Sequence, residues 1–196
     1  MPRPERYRGT RGLRLSALLL AALVAAGCSA GSNVVPRERV SADEVRSLRE
    51  EKGLPMYFAA RSVFGLPLTG ANGWSSEGGG AFFAYGTCEL PEGEGGCAVP
   101  IQIQHFRFDP AQWKLADGCF RRPSLRGVLT ARHDGLVLFT ESIVVKVYAR
   151  DSAEERRVVA ELRGLNTALS KGEPLPRPAR SVRELVSQVC PEIRSS

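Results

Sequence analysis

The apolar positions of this chain follow three spacings, and each spacing predicts a different kind of segment. From Leu15 to Ala26 the residues are uncharged and mostly apolar, in a run that is too short for a comfortable transmembrane helix. From Ile101 to Phe106 apolar and polar side chains alternate, which predicts a strand with one buried face and one wet face. Apolar residues recur at helical spacing over residues 151–171 and 182–189, so two amphipathic helices are expected there.

Aromatic and β-branched residues predict the other strands. The most regular group is an antiparallel meander of three strands, with Asp134-Gly135 at its first turn and Glu141 at its second. Pro100 places the alternating strand near a sheet edge, because proline has no N–H to donate to a neighbouring strand. The predicted strands besides 101–106 are 55–60, 81–85, 127–131, 136–140 and 142–148, with a short extended piece over 63–69 that Pro67 interrupts.

Local signals predict where helices and loops begin and end. Ser41 and Glu44 have the spacing of a capping box, so a short helix is predicted to begin there and to end at Gly53. The glycines between Gly70 and Gly80 predict a loop, since glycine weakens both helices and central strands. The fold class that follows is α+β: a mainly antiparallel sheet, one long packed helix over 151–171 and short terminal helices.

The apolar run follows five arginines, and together they have the features of an export signal. It ends in Ala25-Ala26-Gly27-Cys28, which resembles the lipobox of bacterial lipoproteins. The resemblance implies cleavage before Cys28, acylation of its sulfur by a fatty acid such as palmitate, and attachment to the extracytoplasmic side of a cell-envelope membrane. Two or more acyl chains anchor a protein stably, at about 0.8 kcal/mol per buried methylene. The alternative is a plain signal peptide that leaves Cys28 as a free thiol.

Removal of this signal changes the charge of the protein. Residues 1–27 carry five arginines and one glutamate, so the formal net charge falls from +6 to +2 without them. Nucleic-acid binding needs a concentrated basic face, and the remaining basic residues form only short clusters, so no nucleic-acid partner is expected. The expected organisation is a signal peptide over 1–27, a flexible tether over 28–40 and a single domain over 41–196.

Four cysteines follow Cys28, and an even number in an exported chain indicates two disulfides. Four cysteines allow three pairings. We favour Cys88 with Cys97, across a glycine-rich loop, and Cys119 with Cys190, which ties the last helix to the domain. A metal site is the competing interpretation, but no two cysteines have Cys-x-x-Cys spacing and neither histidine lies close to two of them. Neither a metal nor a cofactor is therefore expected.

The most distinctive stretch of the mature chain surrounds the first two of these cysteines. It reads Tyr-Gly-Thr-Cys over 85–88 and Glu-Gly-Gly-Cys over 94–97, and a proline-containing strand follows. This stretch resembles a motif of uncharacterised exported proteins of high-GC bacteria. The resemblance implies export and brings no activity with it.

Few residues are candidates for binding a ligand. Trp74 lies in the glycine-rich loop and offers a stacking platform, although such a ring more commonly folds over the edge of the core. Glu92 and Glu94 carry oxygens that suit a hard cation, with a solvated acidic loop as the alternative. His105 is interpreted either as a residue on the polar face of its strand or as a lone acid/base group. His133, beside a turn, is expected to be exposed.

Two functions of different classes follow from these patterns. The lack of a recognisable catalytic set favours a non-catalytic envelope lipoprotein that binds a ligand or a partner. The alternative is a cell-envelope hydrolase that uses a serine or glutamate of the glycine-rich loops, and its candidates are Ser75, Ser76, Glu77, Glu89, Glu92 and Glu94. The stretch 73–78 approaches a nucleophile elbow, but its second glycine comes one residue too late. No catalytic residue is therefore assigned.

Overall fold

The computed structural model describes residues 39–74, 80–87, 99–109, 120–132 and 134–190. Within these ranges the helices are α1 (Ala42–Glu50), α2 (Ser152–Glu161) and α3 (Arg180–Val189). The strands are β1 (Tyr57–Phe58), β2 (Ser62–Val63), β3 (Leu66–Asn72), β4 (Phe82–Tyr85), β5 (Ile101–Arg107), β6 (Phe120–Leu125), β7 (Val128–Arg132), β8 (Leu136–Phe139), β9 (Ile143–Tyr148) and β10 (Arg163–Gly164). None of the described helices combines the length and the apolar character that a membrane crossing requires.

Eight of the strands form one antiparallel sheet in the order β2-β3-β4-β5-β9-β8-β7-β6. Strands β2 to β5 are neighbours in chain order and make one meander, and β6 to β9 make a second. The two meanders meet where β5 pairs with β9, with Gln102 opposite Tyr148 and Arg107 opposite Ile143. The prediction of an α+β fold with a mainly antiparallel sheet is confirmed. Strands β1 and β10 form a separate two-stranded antiparallel ribbon.

The larger part of the core lies on one face of the sheet. There α2 packs on β8 and β9, α1 packs on β3, and side chains of the β1–β10 ribbon join the same core cluster. Ile103, Leu138 and Val145 have no exposed surface at all. Burying an aliphatic side chain of this size stabilises the folded state by about 1.5–3 kcal/mol.

The opposite face of the sheet carries a smaller apolar cluster under α3. Val182 and Val186 of α3 pack there with Phe139 of β8 and Val144 of β9. Cys190, directly after the helix, is fully buried in this cluster and is disulfide-bonded. The last helix therefore covers the second face of the sheet rather than lying free.

The start of the domain follows the predicted local signals. The Ser41 hydroxyl accepts a 3.1 Å hydrogen bond from the Glu44 N–H, and the Glu44 carboxylate accepts one of 2.7 Å from the Ser41 N–H. This confirms the capping box. The N–H of Val40 donates to the Leu68 carbonyl at 3.0 Å, so the chain is already fixed to β3 one residue before the cap.

Residues 63–72 differ from the expected extended piece followed by a loop. They form most of a hairpin whose turn, Phe64-Gly65, has φ angles of 51° and 83°. Two successive left-handed residues match the twist of a two-residue hairpin, and glycine adopts that conformation without strain. Strand β3 then continues through Gly70 to Asn72, paired with β4, so the first residues of the predicted loop lie in the sheet.

The prediction of a single long helix over residues 151–171 is wrong in its length. Asp151 caps α2 as a side-chain acceptor for the N–H groups of Ala153 and Glu154, but the helix ends at Glu161. Two residues later the chain pairs with β1, and the Leu165 N–H donates to the Met56 carbonyl at 2.8 Å. The leucines keep helical spacing past Glu161 because Leu162 and Leu165 still enter the core, although both lie outside the helix.

The edge position expected for β5 is wrong as well, since β5 lies between β4 and β9. Pro100 precedes the first paired residue, so its missing N–H removes no hydrogen bond from the sheet. The edge strand beside β7 is β6, which contains Pro123. The register of β6 against β7 shifts between Arg122 and Leu125, where Pro123 lies.

Candidate functional site

His105 lies on the buried face of β5, not on the polar face where it was expected. Side chains alternate along a strand, so His105 shares a face with Ile101 and Ile103. Its side chain has no exposed surface. The sequence already indicated this placement, because every second residue from Ile101 lies on the same face of the strand and His105 is one of them.

Both ring nitrogens of His105 are bonded to backbone groups. The Tyr57 N–H donates to Nε2 at 3.0 Å, and Nδ1 lies 3.2 Å from the Ala81 carbonyl. Because an N–H can only donate, Nε2 is the acceptor and Nδ1 carries the proton that bonds to Ala81. The ring is therefore neutral and has no nitrogen left for a substrate.

The surroundings of His105 are aromatic. Its ring centroid lies 5.6 Å from that of Phe83 and 6.2 Å from that of Tyr57. Burial lowers the pKa of His105 to about 4, against an opposing effect of its two backbone hydrogen bonds. This histidine is a polar member of the core that joins β1 to the main sheet.

Trp74 packs over the edge of the core, as expected for most such rings, and this was the alternative to a stacking platform. It is half-buried, and its ring stands edge-on to His105 with 6.4 Å between centroids. The Arg107 guanidinium lies 5.9 Å from the centroid of the indole. The indole is therefore used for packing on at least one side, and its buried Nε1 has no hydrogen-bond partner within the described part of the chain.

The other candidate residues lie outside the described ranges. Among them are Glu92 and Glu94 of the speculative ligand site and His133 beside its turn. The serines and remaining glutamates of the hydrolase alternative are Ser75, Ser76, Glu77 and Glu89. Three cysteines of the predicted disulfides, Cys88, Cys97 and Cys119, also lie there, as does Cys28, so the pairing and the lipid attachment stay predictions. Over residues 39–190, with the gaps given above, no three His, Cys, Asp or Glu side chains are grouped so that they could hold a metal ion.

A cleft of about 430 Å³ lies between the β6–β7 hairpin and the start of α2. Arg132 of β7 and Glu155 of α2 form an ion pair in its wall. The Glu155 side chain is only 4% exposed, whereas that of Arg132 is 34% exposed. A buried carboxylate needs such a partner, so the pair gives Arg132 and Glu155 a structural role, while the exposed Arg156 also lines the cleft.

A second cavity, of about 490 Å³, is formed by segments that are distant in the chain, and we call it the Tyr57 cavity. Pro55 and Tyr57 come from the start of the domain, Glu141 and Ser142 from the β8–β9 turn, and Thr167 and Glu173 from the chain after β10. The tertiary fold alone brings these groups together. No local sequence signal marks them as one site.

Tyr57 is the unusual member of this cavity. Its side chain is only 1% exposed and yet lines the cavity. Its backbone N–H is bonded to His105, whereas its hydroxyl makes no hydrogen bond to any described residue. Burial raises the pKa of the hydroxyl to about 12, and the nearby Glu141 charge acts in the same direction, while Arg126 opposes it. The fully buried side-chain nitrogen and oxygen atoms that lack a partner in the described part of the chain are Trp74 Nε1 and Arg163 Nε, so the Tyr57 hydroxyl keeps contact with the open cavity.

Arg126 fixes the walls around the cavity. It lies at the β6–β7 turn with a φ of 48°, and its Nη1 donates to the Leu162 carbonyl at 2.5 Å. Its Nε donates to the Glu173 carbonyl at 2.7 Å and its Nη2 to the Ser170 carbonyl at 3.1 Å. The guanidinium thereby binds the end of α2 to the segment that carries Glu173.

Asn166 fixes the opposite wall. Its Oδ1 accepts a 2.8 Å hydrogen bond from the Met56 N–H, and its Nδ2 donates to the carbonyls of Glu51 and Leu54 at 3.2 and 3.1 Å. The side-chain amide of Asn166 thus bonds to three backbone groups between α1 and β1. The Tyr57 cavity is consequently a preformed feature held by side-chain to backbone bonds on two sides.

Comparison with protein-family models, with curated proteins and with solved structures finds no match for this chain. Its function therefore has to be inferred from its own residues and their geometry.

Proposed function

We propose that this protein is a membrane-tethered, non-catalytic domain that binds a ligand or a partner at the cell envelope. The observation that carries the proposal is the Tyr57 cavity, whose wall contains Glu141, Glu173 and Tyr57, with a Tyr57 hydroxyl that bonds to no described residue. A ligand that forms a hydrogen bond to this hydroxyl gains about 0.5–1.5 kcal/mol. The cavity is also preformed, which lowers the entropic cost of binding.

The tethering part of the proposal rests on the sequence. The apolar run that ends in Ala-Ala-Gly-Cys supports acylation of Cys28 and export to the extracytoplasmic side of a membrane. Residues 28–40 then hold the domain off the head groups, and the hydrogen bond of Val40 to Leu68 gives the tether a fixed point on the domain. Replacing Cys28 by Ala is expected to abolish attachment. A C28A protein that still partitions into detergent like the parent would contradict the anchor.

The non-catalytic part is supported by the state of His105. General acid–base catalysis needs a group within hydrogen-bond reach of a substrate, and both His105 nitrogens are bonded inside the core. The hydrolase alternative depends on Ser75, Ser76 or Glu77. It predicts turnover of an ester, peptide or glycan substrate that disappears when one of these residues is replaced by Ala.

A blocked-cavity variant tests the binding function. Ala168 is exposed and lines the cavity, so A168W fills it without disturbing the core. The matched control is A160W, an exposed position on α2 that does not line the cavity. Mild crosslinking of the anchored protein in its own membrane is expected to capture the same molecule with wild type and A160W, and to lose it with A168W. Equal capture by all three proteins would contradict a role for the cavity.

A further inference from the structure

We propose that the domain docks on an anionic lipid bilayer through a surface beside the end of its tether. This surface consists of Arg39, Arg61, Phe64 and Arg157, and we call it the tether surface. The inference rests on the membrane tether of the proposed function and adds the place where the domain touches the membrane. It does not involve the Tyr57 cavity.

The tether joins the domain beside the β2–β3 hairpin. The Val40 N–H donates to the Leu68 carbonyl at 3.0 Å, and Nη2 of Arg61 donates to the Val40 carbonyl at 3.3 Å. Arg39 directly precedes Val40 and is exposed. The chain therefore enters the domain next to Arg61, and an anchor on the preceding residues draws this side of the domain toward the bilayer.

The tether is short enough to hold this side of the domain near the lipid. Residues 28–38 connect the proposed acylated Cys28 to Arg39. A chain of this length that behaves as a coil spans on the order of 20 Å. A linker of that reach keeps a second contact at a millimolar effective concentration, so even a weak attraction between domain and lipid is populated.

Phe64 is the large apolar side chain that stays exposed in the described part of the chain, at 38% of its surface. A single exposed apolar residue is common and needs no partner. Phe64 differs because it lies at the tip of the hairpin with a φ of 51°, a left-handed conformation that strains a bulky residue. Burial in the core does not offset that strain, whereas insertion into the apolar edge of a bilayer removes the ring from water.

Three exposed arginines lie near this ring. The Arg157 guanidinium, on α2, lies 4.2 Å from the centroid of the Phe64 ring. Arg61 precedes Phe64 by three residues, so its backbone lies within about 10 Å along the hairpin. Among the described residues no carboxylate pairs with Arg39, Arg61 or Arg157. Each of them is attracted to an anionic surface, and the long stem of arginine lets its charge reach the head groups.

The carboxylates at the start of α1 and on α2 already have partners. These partners are Arg46 for Asp43, the Ser41 N–H for Glu44, the Arg150 N–H for Glu154, Arg132 for Glu155 and Lys171 for Glu161. Three of the five carboxylates are neutralised by a basic side chain. The arginines of the tether surface therefore stay in excess, which complements an anionic bilayer.

Flotation with vesicles tests this docking without the lipid anchor. The probe protein is the mature chain, residues 28–196 with Cys28→Ser, because the arginines and apolar run of the signal peptide would bind vesicles themselves. It is mixed with vesicles of phosphatidylcholine alone or of equal parts phosphatidylcholine and phosphatidylglycerol. We expect it to float with the anionic vesicles, to remain unbound with the neutral ones, and to dissociate as the salt concentration is raised.

Charge variants locate the contact. R39Q and R157Q are each expected to weaken partitioning about fivefold, and R39Q/R61Q/R157Q to abolish it. The matched control is R177Q/R180Q/R183Q, which removes three exposed charges at and just before α3, the helix on the opposite face of the sheet. This control is expected to bind like the parent. Thermal unfolding of each variant shows that it is folded.

A second pair of variants tests the ring. F64S is expected to weaken partitioning severalfold, whereas F64W, which keeps a large aromatic group at the same φ, is expected to retain it. In vesicles that contain brominated lipid, the added tryptophan of F64W is expected to be quenched. The control is Q188W, at an exposed position on α3, which is expected to show no more quenching than the parent protein.

The outcomes separate this inference from the proposed function. Equal flotation with neutral and anionic vesicles, an equal loss in the α3 control, or unchanged partitioning of F64S would each overturn the tether surface. The proposed function would still stand on C28A and A168W, since neither changes this surface. Binding to anionic vesicles together with a C28A protein that stays in the membrane would keep the tether surface and overturn the anchor.

Discussion

The backbone N–H of Tyr57 donates a 3.0 Å hydrogen bond to Nε2 of His105. This bond joins the β1–β10 ribbon to the centre of the main sheet, since His105 lies on β5. It also permits only one protonation state of the ring. A second proton on Nε2 would face the Tyr57 N–H, and two donors cannot bond to each other.

The first prediction concerns the pH dependence of stability. The pKa of His105 is lowered to about 4 in the folded protein, while a histidine in the unfolded chain titrates near about 6.5. Between these values only the unfolded chain binds the proton, so stability falls as the pH is lowered through this window. The expected loss from this residue is roughly 3 kcal/mol, measured by urea unfolding at pH 7, 5.5 and 4.

The control for this prediction uses the other histidine. His105→Gln removes the titration while keeping an acceptor and a donor, so its unfolding free energy should vary less across the window. His133→Gln should retain the pH dependence of the wild type. An H105Q protein that loses as much stability between pH 7 and pH 4 as the wild type would show that His105 does not cause the effect.

The second prediction concerns Asn166. Asn166→Ala removes three hydrogen bonds to the backbone of Glu51, Leu54 and Met56 and leaves those groups without a protein partner. The expected cost is about 2–4 kcal/mol in the free energy of unfolding. The same substitution at Asn72, whose exposed amide makes weaker bonds of 3.3 and 3.4 Å, should cost no more than about 0.5 kcal/mol. Equal losses at the two positions would contradict the bridging role of Asn166.

The third prediction concerns the guanidinium of Arg126. Arg126→Lys keeps the charge and the same unfavourable φ of 48°, so the comparison isolates the loss of the planar donor group. We expect a loss of about 2–3 kcal/mol, because an ammonium group cannot reach the carbonyls of Leu162, Ser170 and Glu173 together. Arg180→Lys, in an exposed pair with Glu184, serves as the control and should change stability little. A fully stable R126K protein would mean that these carbonyls do not need the arginine.

The fourth prediction concerns the cysteines. The fragment from about Val40 onward is expected to contain two intramolecular disulfides and no free thiol, with Cys190 in one of them. We favour Cys88–Cys97 and Cys119–Cys190, which would contribute on the order of 3 and 4 kcal/mol by the loop-entropy model. Thiol counting on the denatured, unreduced fragment gives the number directly, and peptide mapping gives the pairing. Four reactive thiols would instead favour the metal-site interpretation.

Elements with a strong local signal could be predicted from the sequence. The capping box of Ser41 and Glu44 and the three-strand meander around Asp134-Gly135 depend on neighbouring residues, and the structure has both. The end of α2 could not be predicted in this way. Its leucines keep helical spacing beyond Glu161, and only the pairing of Gly164 with Tyr57 shows why the helix stops.

The candidate site was less accessible to prediction than the fold. His105 could have been placed correctly, because the alternation that begins at Ile101 puts it on the buried face. The Tyr57 cavity had no comparable signal. Tyr57, Glu141 and Glu173 come from three separate segments, and only tertiary contacts bring them together. Residues 75–79 and 88–98, on which the predicted ligand site and the hydrolase alternative depend, lie outside the described ranges.

The bridge between Met56 and Asn166 spans 110 positions along the chain. Contacts between residues so far apart form slowly, because the ends of a long loop must first find each other. On the proposed export route the amino-terminal part would emerge first, so the apolar stretch from Met56 to Ala59 would wait for the chain beyond β10 before it is covered. A chain tethered as proposed would be held close to its neighbours at the membrane during that wait. The order in which the segments fold would then become a hazard for aggregation, and a chaperone that shields this stretch would speed assembly.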